Sequence, residues 1–76
     1  MAKVILPELG EGILKAAVAC WHKQVGEEVS EDDDIVEVVT DKASFNIPAG
    51  KTGRLKQILI TEGKEAKIGE TLALIE

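Results

Sequence analysis

Tyrosine is absent, and Trp21 and Phe45 are the only aromatic residues among the 76. Base stacking on an aromatic surface is therefore excluded as a mode of recognition. A net charge of −5 also argues against nucleic acid, which is bound through its phosphates by positive surfaces. No apolar run approaches the roughly 18 residues a membrane-crossing helix requires, and Met1–Pro7 is too short for the apolar region of a secretory signal. Cys20 stands alone, so no intrachain disulfide forms and a reducing compartment is expected. His22 is the only histidine, and without a second cysteine or a suitably spaced serine the sequence shows neither a metal-ligand set nor a nucleophilic site. At this length a single core nets only ~3–5 kcal/mol, which leaves little for a deep catalytic cavity. The expectation is a domain that is not itself an enzyme.

What is present is a series of short β-rich runs: Val4–Leu6, Ala16–Trp21, Ile35–Thr40, Ala43–Ile47, Arg54–Ile60 and Leu72–Ile75. Val and Ile recur in them as a pleated, half-buried surface favours. Seven glycines and two prolines punctuate the chain between or at the ends of these runs. The one helical competitor, Glu11–Gln24, has few breakers after Gly12. An internal repeat argues for strands instead. A shift of 37 places Val18 on Leu55, Trp21 on Ile58, Gly26 on Gly63, Val29 on Ala66, Ile35 on Leu72 and Val38 on Ile75. A shift of 41 aligns Val4 with Phe45, Leu6 with Ile47 and Pro7 with Pro48, which gives the first half four extra residues around Glu8 to Lys15. Neither half can bury its apolar face alone. The expected fold is all-β: a flattened sandwich of two antiparallel sheets with internal quasi-two-fold symmetry, one domain over 1–76 with halves 1–40 and 41–76.

The halves meet at Thr40-Asp41-Lys42-Ala43, between two strand-like runs, and these residues suit a type I turn with Lys42 at its third position. On spacing alone, a single lysine in a turn reads as a charged hairpin tip that blunts edge pairing. Trp21 is expected to anchor the core, with Cys20 a small inert hydrophobe in or near it. Glu27, Glu28 and Glu31–Asp34 form an acidic run that lacks the ligand spacing of an EF-hand and reads as a solvated turn face.

Thr40-Asp41-Lys42-Ala43-Ser44 resembles the lipoylation motif of lipoyl domains from 2-oxoacid dehydrogenase complexes. Leu6-Pro7-Glu8-Leu9-Gly10-Glu11-Gly12-Ile13 is similar to the opening segment of that family. Trp21, Gly26-Glu27-Glu28-Val29, Ile47-Pro48, Gly53, Gly63 and Gly69-Glu70-Thr71-Leu72 follow in its order and spacing. Two departures lie beside the motif: Asn46 stands where an acidic residue is common, and Ala49-Gly50-Lys51-Thr52 replaces a Ser-Pro stretch. The resemblance implies lipoate in amide linkage to Lys42, with Asp41 and Ala43 read by the lipoate ligase or lipoyl transferase. It implies that Glu8, Gly10, Glu11 and Gly12 lie near that lysine and contribute to recognition by a thiamine-dependent 2-oxoacid decarboxylase. The other implied partners are an acyltransferase catalytic domain with coenzyme A, in the same parent chain, and dihydrolipoamide dehydrogenase. The domain itself is expected to be monomeric, and to be cytoplasmic in a bacterium or in the mitochondrial matrix of a eukaryote. Biotin-carrier domains, which resemble this fold, place Met on both sides of the modified lysine; Asp41 and Ala43 favour lipoate.

Overall fold

The sequence repeat becomes a repeat of strand pairings in the computed structural model, which describes residues 1–76. Eight strands form in chain order: β1 (Ala2–Ile5), β2 (Lys15–Trp21), β3 (Glu28–Val29), β4 (Asp34–Val39), β5 (Ser44–Pro48), β6 (Gly53–Ile58), β7 (Glu65–Lys67) and β8 (Thr71–Ile75). There is no helix, so the segment Glu11–Gln24 resolves as a loop followed by β2. One sheet has the order β1-β8-β6-β3 and the other β5-β4-β2-β7, all pairs antiparallel. Exchanging β1 with β5, β2 with β6, β3 with β7 and β4 with β8 turns one order into the other. Each half therefore supplies strands to both sheets, as the repeat required. The strands β3 and β7, which the sequence did not reveal, are two and three residues long.

The symmetry extends to the irregularities. The ladder of β2 on β4 skips Ala19, and the ladder of β6 on β8 skips Lys56, 37 residues later. The skip at Ile35 between β4 and β5 is matched at Leu72 between β8 and β1. The bulges at Ile35 and Leu72 each let two consecutive side chains face inward: Ile35 with Val36, and Leu72 with Ala73, are all fully buried. Hydrogen bonds repeat as well. Gly26 N–H donates to Leu55 O and Gly63 N–H to Val18 O, at 2.8 and 2.9 Å. Both glycines hold positive φ, +98° and +87°, where a side chain would be strained.

The opening strands correct the sequence alignment. Pairing sets Val4 against Ala73 as Ile47 is set against Val36, and Ala2 against Ile75 as Phe45 against Val38. The equivalence is thus a shift of 43, not 41. Leu6 N–H to Glu70 O and Ala49 N–H to Asp33 O, at 3.0 and 2.8 Å, follow the same relation. The agreement of Pro7 with Pro48 had masked it. The loop after β1 is consequently six residues longer than its counterpart after β5, and this asymmetry builds the candidate site.

Fifteen apolar residues from both sheets form the core, and no polar side chain is buried with them. Leu6, Ile35, Leu55 and Leu72 are among the largest of those fully enclosed. Trp21 is only half-buried against this core, its indole Nε1–H donating to Ile60 O at 2.9 Å. It lines a shallow cleft together with its symmetry mate Ile58. Cys20 departs from expectation: the Ala19 bulge reverses the alternation after Val18, so Cys20 turns away from the core and lies opposite Glu37 on the outer face. The acidic run is more than solvated charge. Asp33 accepts Ser30 N–H at 2.9 Å, Glu27 accepts Gln24 N–H at 2.8 Å, and Glu28 pairs with Arg54 at 3.5 Å.

Candidate functional site

Strands β4 and β5 form a hairpin whose ladder runs from Val36 against Ile47 up to Val39 against Ser44. Val36, Val38 and Ile47 anchor its inner face in the core. The connecting residues Thr40–Ala43 all keep negative φ, which excludes the mirror-image hairpin turns and is compatible with the type I geometry. The turn is closed by a side chain. Thr40 N–H donates to Ala43 O at 2.8 Å, but in the reverse direction Ala43 N–H donates to the Thr40 hydroxyl at 3.0 Å. The same hydroxyl accepts Lys42 N–H at 3.1 Å and donates to Ala43 O at 2.9 Å. Thr40 therefore holds the backbone of Lys42 by one contact and that of Ala43 by two, all through one oxygen, the local chemistry that makes hydroxyl residues favourable in turns.

The Lys42 and Asp41 side chains are exposed and unpaired; the three ion pairs of the chain, Lys15–Glu65, Arg54–Glu28 and Lys56–Glu76, lie elsewhere. The long first loop comes back over this tip. It is pinned by Gly69 N–H to Leu6 O at 2.8 Å and by Ile68 N–H to Leu14 O at 3.0 Å. Within it Gly12 adopts φ +81°, and a β-carbon built there would stand 3.5 Å from Lys42 Nζ. Gly12 thus meets the lysine, while Glu8, Gly10 and Glu11 line an adjoining cleft of about 620 Å³ with Gly12, Leu14 and Ile68. A second cleft, about 450 Å³, runs between this loop and the hairpin, with Gly12–Leu14 on one wall and Val39–Asp41 on the other. Leu14 borders both clefts and is 79 % exposed, an apolar residue beside the tip that the strand pattern passed over. A larger cleft of about 840 Å³ lies at the symmetry-related corner, around Glu28, Gly53 and Glu76. There the paired chain termini replace the turn, and no unpaired lysine is present.

One set of donors was not visible in the sequence. Cys20, His22 and Glu37 converge on the outer face of the second sheet, their ligand atoms all within 4.8 Å of one another. Partial burial, and then the neighbouring Glu37 and Glu62 carboxylates, push the Cys20 thiol above its ordinary range.

The arrangement is that of a small two-fold β-sandwich that presents one fixed hairpin lysine, the class to which covalent cofactor carriers belong. The family model Biotin_lipoyl, described as "Biotin-requiring enzyme", matches residues 2–75, and the chain belongs to that family. Its relatives are of the lipoyl type. The dihydrolipoyllysine-residue succinyltransferase component of the 2-oxoglutarate dehydrogenase complex of Staphylococcus saprophyticus is 36 % identical over 75 residues, which is 99 % of this chain and 18 % of that protein. The lipoamide acyltransferase component of the branched-chain alpha-keto acid dehydrogenase complex of Pseudomonas aeruginosa is 38 % identical over 71 residues, 93 % of this chain and 17 % of that protein. The solution structure of the lipoyl domain of the 2-oxoglutarate dehydrogenase complex from Azotobacter vinelandii superposes with a TM-score of 0.78 at 33 % identity, covering 100 % of this chain and 96 % of that one. The chain thus spans less than a fifth of the length of the acyltransferase relatives.

Proposed function

We propose that Lys42 is the attachment point for lipoate and that the domain carries this group among the active sites of a 2-oxoacid dehydrogenase complex. The observation that carries this reading is the unpaired ammonium at the tip of a side-chain-closed hairpin, in a chain whose relatives are lipoyl-bearing acyltransferase components. The residues present fit the group. Lys42 Nζ is free to form an amide, and nothing around it encloses the arm. Flanking Asp41 and Ala43 in place of methionines favour lipoate over biotin, and both are exposed to a modifying enzyme.

When bound, lipoate supplies a dithiolane that takes up an acyl group with two electrons and releases both elsewhere. The chain's own residues supply position. Thr40 holds the turn, the ladder below it transmits that rigidity to the core, and Lys42 lies exposed beside Gly12. Amide formation removes one positive charge from a chain already at −5. The tip then keeps the Asp41 carboxylate, with Glu8 and Glu11 on the adjoining loop. Lys15, which lines the cleft beside Asp41, is already paired with Glu65, leaving a surface suited to a basic partner. Partners of this reading are a lipoate ligase or lipoyl transferase, a thiamine-dependent 2-oxoacid decarboxylase, an acyltransferase catalytic domain using coenzyme A, and dihydrolipoamide dehydrogenase. The acyltransferase would belong to the same parent chain, and Asp41, Ala43 and the Glu8–Gly12 loop would carry recognition.

Co-expression with a lipoate ligase followed by intact and peptide mass spectrometry tests the assignment. The expected result is one lipoyl adduct, on the peptide containing Lys42, and none in Lys42→Arg. An adduct on that variant, or none on the parent chain, overturns it. Reductive acylation by purified decarboxylases for pyruvate, 2-oxoglutarate and branched-chain oxoacids then identifies the complex.

A further inference from the structure

Cys20, His22 and Glu37 owe their convergence to a backbone feature. Without the Ala19 bulge, Cys20 would continue the inward series of Ala16 and Val18; with it, Cys20 stands directly opposite Glu37. His22 follows on the same outer face. Cys20 Sγ lies 3.7 Å from His22 Nδ1 and 3.9 Å from Glu37 Oε1. A tetrahedral zinc ion with Zn–S of about 2.3 Å and Zn–N or Zn–O of about 2.0–2.1 Å requires sulfur-to-nitrogen and sulfur-to-oxygen separations of about 3.5–3.6 Å. Those two separations need to shorten by a few tenths of an ångström. The third, between His22 and Glu37 and within 4.8 Å, must close to the roughly 3.3–3.4 Å of a shared ion by rotation of the exposed His22 and half-buried Glu37 side chains.

The histidine is already oriented for such a role. Its Nε2 lies 3.0 Å from Asn46 Oδ1 and its Nδ1 3.7 Å from Cys20 Sγ, so the ring is held with Nδ1 toward the cysteine. An imidazole whose far nitrogen is held by an amide oxygen is the arrangement that outer partners of metal-ligating histidines create. The nearby Glu62 is engaged by Trp21 N–H at 2.9 Å.

The two-fold fold provides an internal comparison. Under the symmetry Cys20, His22, Glu37 and Asn46 correspond to Gln57, Leu59, Leu74 and Lys3, a patch with no comparable donors. The architecture therefore does not require this polar cluster, and one half carries it alone.

We infer that Cys20, His22 and Glu37 form a binding site for a borderline-soft divalent cation of the zinc type, oriented by Asn46 and with a fourth coordination position open to solvent. One thiolate, one imidazole and one carboxylate match the mixed ligand preference of Zn²⁺ and of Co²⁺ as its optical substitute, and disfavour the all-oxygen shells of Mg²⁺ and Ca²⁺. Glu37 and Asn46 lie on the hairpin that bears Lys42, and Cys20 and His22 on and just after β2; none belongs to the tip, so the site stands whether or not that lysine is modified.

Titration of the reduced, unmodified chain with Co²⁺, and competition for Zn²⁺ against a chromogenic chelator, test the proposal. One ion per chain is expected, with a thiolate-to-cobalt charge-transfer band that only Cys20 can produce and a shift of the single histidine's ring resonances. Cys20→Ser should abolish the band, and Asn46→Ala should weaken Zn²⁺ about 10–100-fold as loss of an outer partner does. Thermal unfolding of each variant confirms that it is folded. Absence of the band at stoichiometric Co²⁺, or Zn²⁺ affinity in Cys20→Ser within threefold of the parent chain, overturns the site.

Discussion

Gly12 and Lys42 are 30 residues apart in sequence and in contact in space: a β-carbon on Gly12 would lie 3.5 Å from the lysine Nζ. Gly12 also holds φ +81°, a region that costs an L-residue about 1–2 kcal/mol. Gly12→Ala should therefore lower the thermal midpoint, by about 4–8 °C per kcal/mol for a domain of this size. It should also slow lipoylation by restricting the side chain of Lys42. An unchanged midpoint would show that the loop relaxes at no cost.

Thr40 makes the turn with a single oxygen. Thr40→Val keeps the shape and removes three hydrogen bonds, each with a net worth of about 0.5–1.5 kcal/mol after exchange with water and at the low end of that range at this exposed site. Amide exchange at Ala43 should accelerate, and ligase-catalysed modification should fall. Thr40→Ser should retain both properties, since it retains the oxygen.

Ile35 and Leu72 occupy equivalent bulges and are both fully buried. Truncation of either to Ala should cost about 2–5 kcal/mol. In a domain that nets ~3–5 kcal/mol, each leaves a large unfolded fraction at room temperature. Urea titration should place the two variants close together, because the two-fold relation gives them like surroundings.

The Cys20 thiol is pushed above its ordinary range, first by partial burial and then by Glu37 and Glu62. Metal-free protein should react slowly with iodoacetamide at neutral pH, with the inflection of rate against pH above that of the urea-unfolded chain. Glu37→Gln should move it part of the way back. The folded state binds this proton more tightly, so the associated stability is full below the unfolded thiol's pKa. It is lost as pH rises through the folded value.

Much of this was legible from spacing. The repeat at 37 residues predicted the pairing of halves, and the motif around Lys42 marked the turn. What escaped notice has physical causes. Glu28–Val29 and Glu65–Lys67 are too short to show an alternating pattern, and are strands only because β6 and β2 offer them edges. The relation between β1 and β5 differs by two residues from the sequence repeat, in which two prolines coincide, because ladder register is set by partners across the sheet. Cys20 reads as a small hydrophobe in or near the core, and the bulge at Ala19 that turns it to the outer face leaves no composition signal. Cys20 and His22 at i and i+2 share a strand face, which was a usable hint. Glu37 joins them only through the ladder.

A two-fold body has two equivalent corners, and this chain uses them differently. One is closed by the turn that bears Lys42. At the other Ala2 pairs with Ile75, where the polypeptide enters and leaves. The second corner is occupied by the paired β1 and β8 ends, so a body with two equivalent corners offers only one free turn, and its pseudo-symmetry is broken where the exposed lysine stands.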